Sequence, residues 1–76
     1  MEIRIENNES GSTDVIVNAE GVDYQIGIIE EHPTAPGYFR AIAYDGSLLQ
    51  SSEQNLIFYD VEQAKNAIMQ VYAGIQ

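Results

Sequence analysis

Residues 2–6, Glu-Ile-Arg-Ile-Glu, alternate charged and apolar positions with the period of two that a half-buried strand requires. Ile3 and Ile5 share one face; Glu2, Arg4 and Glu6 share the other. Residues 7–12, Asn-Asn-Glu-Ser-Gly-Ser, form a polar turn cluster. The alternation resumes over 13–19, with Val15, Val17 and Ala19 opposite Asp14, Ile16 and Asn18. Glu20-Gly21 makes a tight connection to a third strand over 22–30. There Val22, Tyr24, Ile26 and Ile28 alternate with Asp23, Gln25, Gly27 and Ile29, so the two runs read as a hairpin. Two prolines and a glycine within 31–37 predict the longest irregular loop. Strand character returns over 38–44. Asp45-Gly46 is the strongest hairpin signal, read as a type I′ turn with positive φ at both positions. Residues 47–51 are the returning strand, 52–55 break it, and 56–59 make a short sixth strand.

The period then changes. Val61, Ala64, Ile68, Val71, Tyr72 and Ile75 recur at helical spacing on one face, with Glu62, Lys65, Asn66, Met69 and Gln70 opposite. Asp60 is a good N-cap and Gln63, three residues on, completes a capping-box pattern. The helix is predicted over 61–75.

One α+β domain spanning 1–76 follows: two layers, a mostly antiparallel sheet of five to six strands, and one C-terminal helix on one face. A helix is about 10 Å wide and strands lie about 4.8 Å apart, so one oblique helix covers about three strands. The sheet is therefore expected to keep an uncovered face. Ile28-Ile29, Leu48-Leu49 and the run 56–59 put apolar side chains on both faces. Ile16, Ile29, Ile42 and one of Leu48 and Leu49 are expected to project from the uncovered side. A contiguous apolar patch there marks an interface, and a strongly curled sheet burying both sets is the alternative. Tyr38 and Tyr44 share the parity of Arg40 and Ile42, opposite Phe39, Ala41 and Ala43. Tyrosine suits interfaces because it combines large area with a polar tip. The candidate interface is Ile16, Ile29, Tyr38, Arg40, Ile42 and Tyr44, and a homodimer through the open face or a sheet edge is the simplest use of it.

Charge narrows the partners. Three basic residues, Arg4, Arg40 and Lys65, stand against twelve carboxylates, for a formal net charge of −9 in 76 residues. Such a surface cannot neutralise a row of phosphates, so nucleic acid is not an expected partner. Anionic membranes are disfavoured likewise, while a basic protein or a cation is compatible. The first residues carry neither a basic nor an apolar leader segment, and no apolar run approaches the about 20 residues of a membrane span. A soluble cytoplasmic protein is expected. Asn8-Glu9-Ser10 matches a glycosylation sequon but has no meaning without secretion.

The chain has no cysteine and one histidine, which removes thiolate metal sites and most nucleophile–base pairs. Glu30-Glu31-His32 is the one cluster with metal-ligating chemistry, but three consecutive residues rarely converge on one ion. Residues 7–14 are rich in oxygen ligands, yet their spacing fails the EF-hand pattern. The glycines are too dispersed for a phosphate loop, and so short a chain leaves little wall for a cleft. No catalytic, cofactor-binding or metal residue is assigned.

Residues 38–52 followed by a strand and Asp60-Val61-Glu62-Gln63-Ala64-Lys65-Asn66-Ala67-Ile68 resemble the repeat unit of small bacterial proteins of the YegP-like kind. The likeness covers less than half the chain, and those proteins usually carry the unit twice. A second likeness is to HicB-type antitoxins. It runs through Tyr24-Gln25-Ile26-Gly27-Ile28-Ile29-Glu30-Glu31, Gly37-Tyr38-Phe39 and Val61-Glu62-Gln63-Ala64. That resemblance implies an acidic protein shielding a basic toxin; the proline-rich stretch and the DNA-binding segment of that family are missing. The expected function is a non-enzymatic protein-interaction domain that self-associates. The alternatives are an acidic inhibitor of a basic protein, and a small metal-binding or hydrolytic protein.

Overall fold

The computed structural model describes residues 2–51 and 55–74. Strands β1 (Glu2–Asn7), β2 (Thr13–Ala19), β3 (Val22–Glu31) and β4 (Phe39–Ala43) form an antiparallel meander in the order β1-β2-β3-β4. Helix α1 (Val61–Gly74) packs on β3 and β4. The α+β architecture with a C-terminal helix on one face is as the pattern predicts. Among the described residues, however, the sheet has four strands rather than five or six.

The missing strands reduce to two contacts that share one edge. The Ala43 N–H donates to the Ser47 carbonyl and the Leu49 N–H to the Ala41 carbonyl, both at 2.9 Å. Further along the same edge, Phe39 and Phe58 exchange N–H···O bonds of 2.9 and 2.8 Å. The chain thus returns to β4 twice, and neither visit is long enough to make a strand. Only the bridges Ile42↔Leu48 and Phe39↔Phe58 remain of the strands expected over 47–51 and 56–59. Residues 52–54 and Ile75 lie outside the described residues.

The turns also sort differently from expectation. Positive φ occurs at both Glu20 and Gly21, between the paired residues Ala19 and Val22, so the two-residue type I′ turn is here. At Asp45-Gly46 only the glycine has positive φ. The Gly46 N–H donates to the Ala43 carbonyl, and the Ala43 N–H to Ser47. This is a three-residue hairpin loop, 44–46, that ends on a left-handed glycine.

A bulge in β3 has the widest consequences. Val15 pairs with Gly27 but Ile16 pairs with Gln25, so Ile26 is an extra residue opposite β2. Parity reverses across it. Val22 and Tyr24 share the face of Val17, and beyond the bulge Gly27 and Ile29 take that face. Ile28 is turned outward, and Ile29, expected on the uncovered side, is 1% exposed in the core. The core joins Val15, Val17, Ile26, Ile29, Ala41 and Phe58 to Ala64 and Ile68 of α1. Gly27 is where the layers come closest: a Cβ built there would lie 2.7 Å from the Ile42 carbonyl oxygen and 2.7 Å from Ile68 Cγ2.

The helix starts as its sequence dictates. Asp60 Oδ1 accepts the Gln63 N–H at 2.8 Å, and Gln63 Oε1 reaches back to accept the Tyr59 N–H at 3.2 Å. Ala64 and Ile68 are fully buried, and Val61, Ala67 and Tyr72 pack around them.

Candidate protein interaction site

The face opposite α1 divides into a polar half and an apolar stripe. Register builds the stripe. Ile28 of β3 stands opposite Ile42 of β4, and Leu48 is bridged to Ile42 beyond it. Ile16 of β2 lies diagonal to Ile28, because Asp14 takes the position directly opposite. Ile16, Ile28 and Ile42 are half-buried, and Leu48 is 45% exposed. Tyr44, 55% exposed, follows β4 at the parity of Ile42.

At the other end, Tyr38 and Tyr59 meet edge to face with ring centroids 5.5 Å apart. Between them and the stripe lies Arg40, whose Nη2 donates to Glu30 Oε2 at 3.0 Å across the β3–β4 ladder. Its Nε is buried without a hydrogen-bond partner among the described residues. A buried donor left unmade costs about 1–3 kcal/mol, a local cost that the fold carries here.

Five of the six expected interface residues therefore share this face: Ile16, Tyr38, Arg40, Ile42 and Tyr44. Ile29 does not; the bulge puts it under α1 and gives its place to Ile28. Sequence reasoning also missed Tyr59. Its signal was available, because it follows Phe58 in a run whose two parities face opposite ways.

The polar half lies over β1, β2 and the start of β3. Arg4 donates Nη1 and Nη2 to the two carboxylate oxygens of Asp23 at 3.1 and 2.7 Å, and Nε to Glu6 at 2.6 Å. Asn18 adds a 2.8 Å bond to Asp23. Asp14 Oδ1 accepts from both Asn8 and Gln25 at 3.1 Å. These groups satisfy one another and water, and form no apolar contact surface.

The Arg4 hydrogen bonds, then that of Asn18, hold the Asp23 carboxyl down to about 2 from its ordinary 3.8. The folded state therefore holds this proton less tightly than the unfolded chain. The stability from the pair is present above the ordinary value and is lost as pH falls through about 2. Asp23→Asn is expected to be less stable than the parent at neutral pH, with the two urea midpoints converging between pH 4 and 2. Parallel acid limbs for the two proteins would contradict this.

The two candidate ligand clusters border one cleft, lined by Ser10, Gly11, Ser12, Glu30 and Glu31, but they do not gather a set of metal ligands among the described residues. Glu30 faces Arg40 on the open side, while Glu31, opposite Phe39, has the other parity. His32 Nδ1 lies 3.2 Å from the Thr34 N–H and accepts it. In the first turn, Asn8 Oδ1 accepts from the N–H and hydroxyl groups of both Ser10 and Ser12. Its oxygen is occupied in closing the turn. No group of three or more His, Cys, Asp or Glu residues that could hold a metal ion occurs among the described residues. A cleft of about 370 Å³ lies between α1 and residues 50–51, lined by Gln50, Ser51, Phe58, Gln63, Asn66, Ala67 and Gln70. Among the described residues its amides offer hydrogen bonds but no general acid or base. Among the described residues no helix is long and apolar enough to cross a membrane.

No family model, curated protein or solved structure matches this chain.

Proposed function

We propose that this is a small non-enzymatic protein-interaction domain, cytoplasmic and self-associating. The apolar stripe Ile16–Ile28–Ile42–Leu48, flanked by Tyr38, Tyr44 and Tyr59 on a face that α1 does not touch, supports the reading that the domain binds another protein, and the outer edge of β1, unpaired among the described residues, supports self-association. Exposed patches of this kind on small domains are contact surfaces. Aromatic anchors beside a half-buried arginine match the composition of protein interfaces. Among the described residues neutral amides line the cleft beside α1 and the lone imidazole is engaged with its own loop, which favours binding over catalysis.

Self-association is tested by mass against concentration in light scattering. The mass is expected to rise toward twice 8.4 kDa. A strict monomer at about 1 mM, where an association of only about 4 kcal/mol is half complete, contradicts it. A second reading, a basic protein as partner, is favoured by the net charge of −9 and by the HicB-like segments. Retention of a basic protein that is lost at high salt supports it; salt-insensitive retention counts against it.

A further inference from the structure

We propose that self-association runs through the outer edge of β1, two copies pairing antiparallel about a two-fold axis at Ile5. The inference rests on the self-association proposed above and names its surface.

Backbone geometry identifies the open groups. The Asn8 N–H donates to the Ser12 carbonyl at 2.9 Å, which marks that pair as hydrogen-bonded in the β1–β2 ladder. Such pairs alternate in antiparallel ladders. Glu2, Arg4 and Glu6, opposite Asn18, Ile16 and Asp14, therefore direct their backbone groups toward β2. Ile3, Ile5 and Asn7 direct theirs outward, and among the described residues nothing pairs with that edge. An exposed row of this kind is a template for another strand.

Charge then selects the occupant and the register. With the axis on Arg4, Arg4 meets Arg4 and Glu2 meets Glu6 of the second copy, so all facing charges are alike. With the axis on Ile5, each Arg4 stands opposite Glu6 of the other copy, Ile5 meets Ile5, and Ile3 meets Asn7. Both Arg4–Glu6 contacts are attractive, since Arg4 gives only three of its five N–H groups to Asp23 and its own Glu6, and all three outward residues of each copy gain backbone partners. An axis on Ile3 also pairs Arg4 favourably, with Glu2, but sets Ile5 and Asn7 opposite no described residue. The apolar side agrees. Ile5 lies on the α1 face of the sheet, beyond the strands that α1 covers, and is 43% exposed. Its counterpart across the axis would cover it. Joined so, the two sheets become continuous, both helices lie on one side, and both stripes stay open on the other.

The test uses two charge reversals, E6R and R4E, in sedimentation velocity. Each alone places like charges at both facing pairs and is expected to weaken homodimerisation about ten-fold or more. Mixed in equal amounts they restore opposite charges at both pairs, so a heterodimer of near-parental affinity is expected. Misfolding does not produce rescue by mixing. Net charge does not explain the pattern either, since E6R lowers the overall repulsion and would then associate better. Ile5→Pro, which removes an outward N–H but no bond to β2, is expected to abolish the dimer. Ile42→Asp is expected to leave it intact. A parental dimer that ignores both reversals and dissolves with Ile42→Asp overturns this inference while self-association stands. A loss confined to R4E, with E6R unaffected, assigns the axis to Ile3 and likewise overturns it. A parental monomer at about 1 mM overturns both.

Discussion

Ile29→Asn is expected to remove about 3–8 kcal/mol, most of the domain's stability, whereas Ile28→Asn changes it by no more than about 1 kcal/mol. The two residues are adjacent and identical, and only the bulge at Ile26 distinguishes them. Ile29 is 1% exposed among Val15, Val17, Phe58 and Ile68. Truncating it forfeits about 2–5 kcal/mol of packing, and burying an amide without partners adds about 1–3 kcal/mol. A domain of this length has roughly 4–11 kcal/mol in all. Ile28 keeps one side in water, where an amide is solvated. Circular dichroism and urea midpoints decide the matter. Equal damage from both, or greater damage from Ile28→Asn, would mean that the strand is regular and that the wrong isoleucine has been placed in the core.

Gly27→Ala is the second large effect. The added methyl would meet a main-chain oxygen and the Ile68 side chain at 2.7 Å each. Ile68 can turn aside at some cost; the Ile42 carbonyl is fixed in the ladder beside β3. Overpacking of this kind costs about 3 kcal/mol, which for so small a domain lowers the midpoint by about 12–24 °C. Gly74→Ala is the control, since a Cβ there meets nothing within 4 Å. It is expected to stay within about 0.5 kcal/mol of the parent. Thermal melts of both variants make the comparison. A Gly27→Ala protein as stable as the parent would show that α1 rides higher over the sheet than described.

These two sites also mark where the sequence was legible and where it was not. The helix was readable because its signals are local: Asp60 and Gln63 cap it, and Ala64 and Ile68 fall at helical spacing. In β1 and β2 each apolar side chain has at least one polar neighbour, apart from Ile16, so period two assigns the faces. Ile26-Gly27-Ile28-Ile29 has no polar residue at either parity, so nothing in the pattern reports a one-residue insertion. Gly27 was the clue, since an isolated glycine within a strand marks a bulge or a close approach, and here it marks both. The candidate face inherited the error at Ile29 alone, because Ile16, Arg40 and Ile42 lie outside the bulged segment. Leu48 and Leu49 divided as adjacent strand residues must, with Leu48 outward and Leu49 against the core.

Strand number was not legible for a different reason. Residues 47–49 and Phe58 have strand-like composition, but both compete for the one free edge of β4. That competition is settled by where the chain is carried by the hairpin on one side and by Asp60 and α1 on the other. It is a property of the assembled fold and leaves no trace in any short window. The Asp45-Gly46 pair likewise marked a turn at the right place, while the demand for positive φ at two successive residues was met by Glu20 and Gly21 instead.

Solvent accessibility of the methyl groups in dilute protein tests the central claim most directly. With a soluble paramagnetic agent, strong relaxation enhancement is expected at Leu48, intermediate enhancement at Ile16, Ile28 and Ile42, and none at Ile26, Ile29 and Ile68. If Ile16, Ile28, Ile42 and Leu48 are as silent as Ile68 at concentrations where the protein is monomeric, the sheet seals both its faces within one subunit and there is no stripe for a partner to cover.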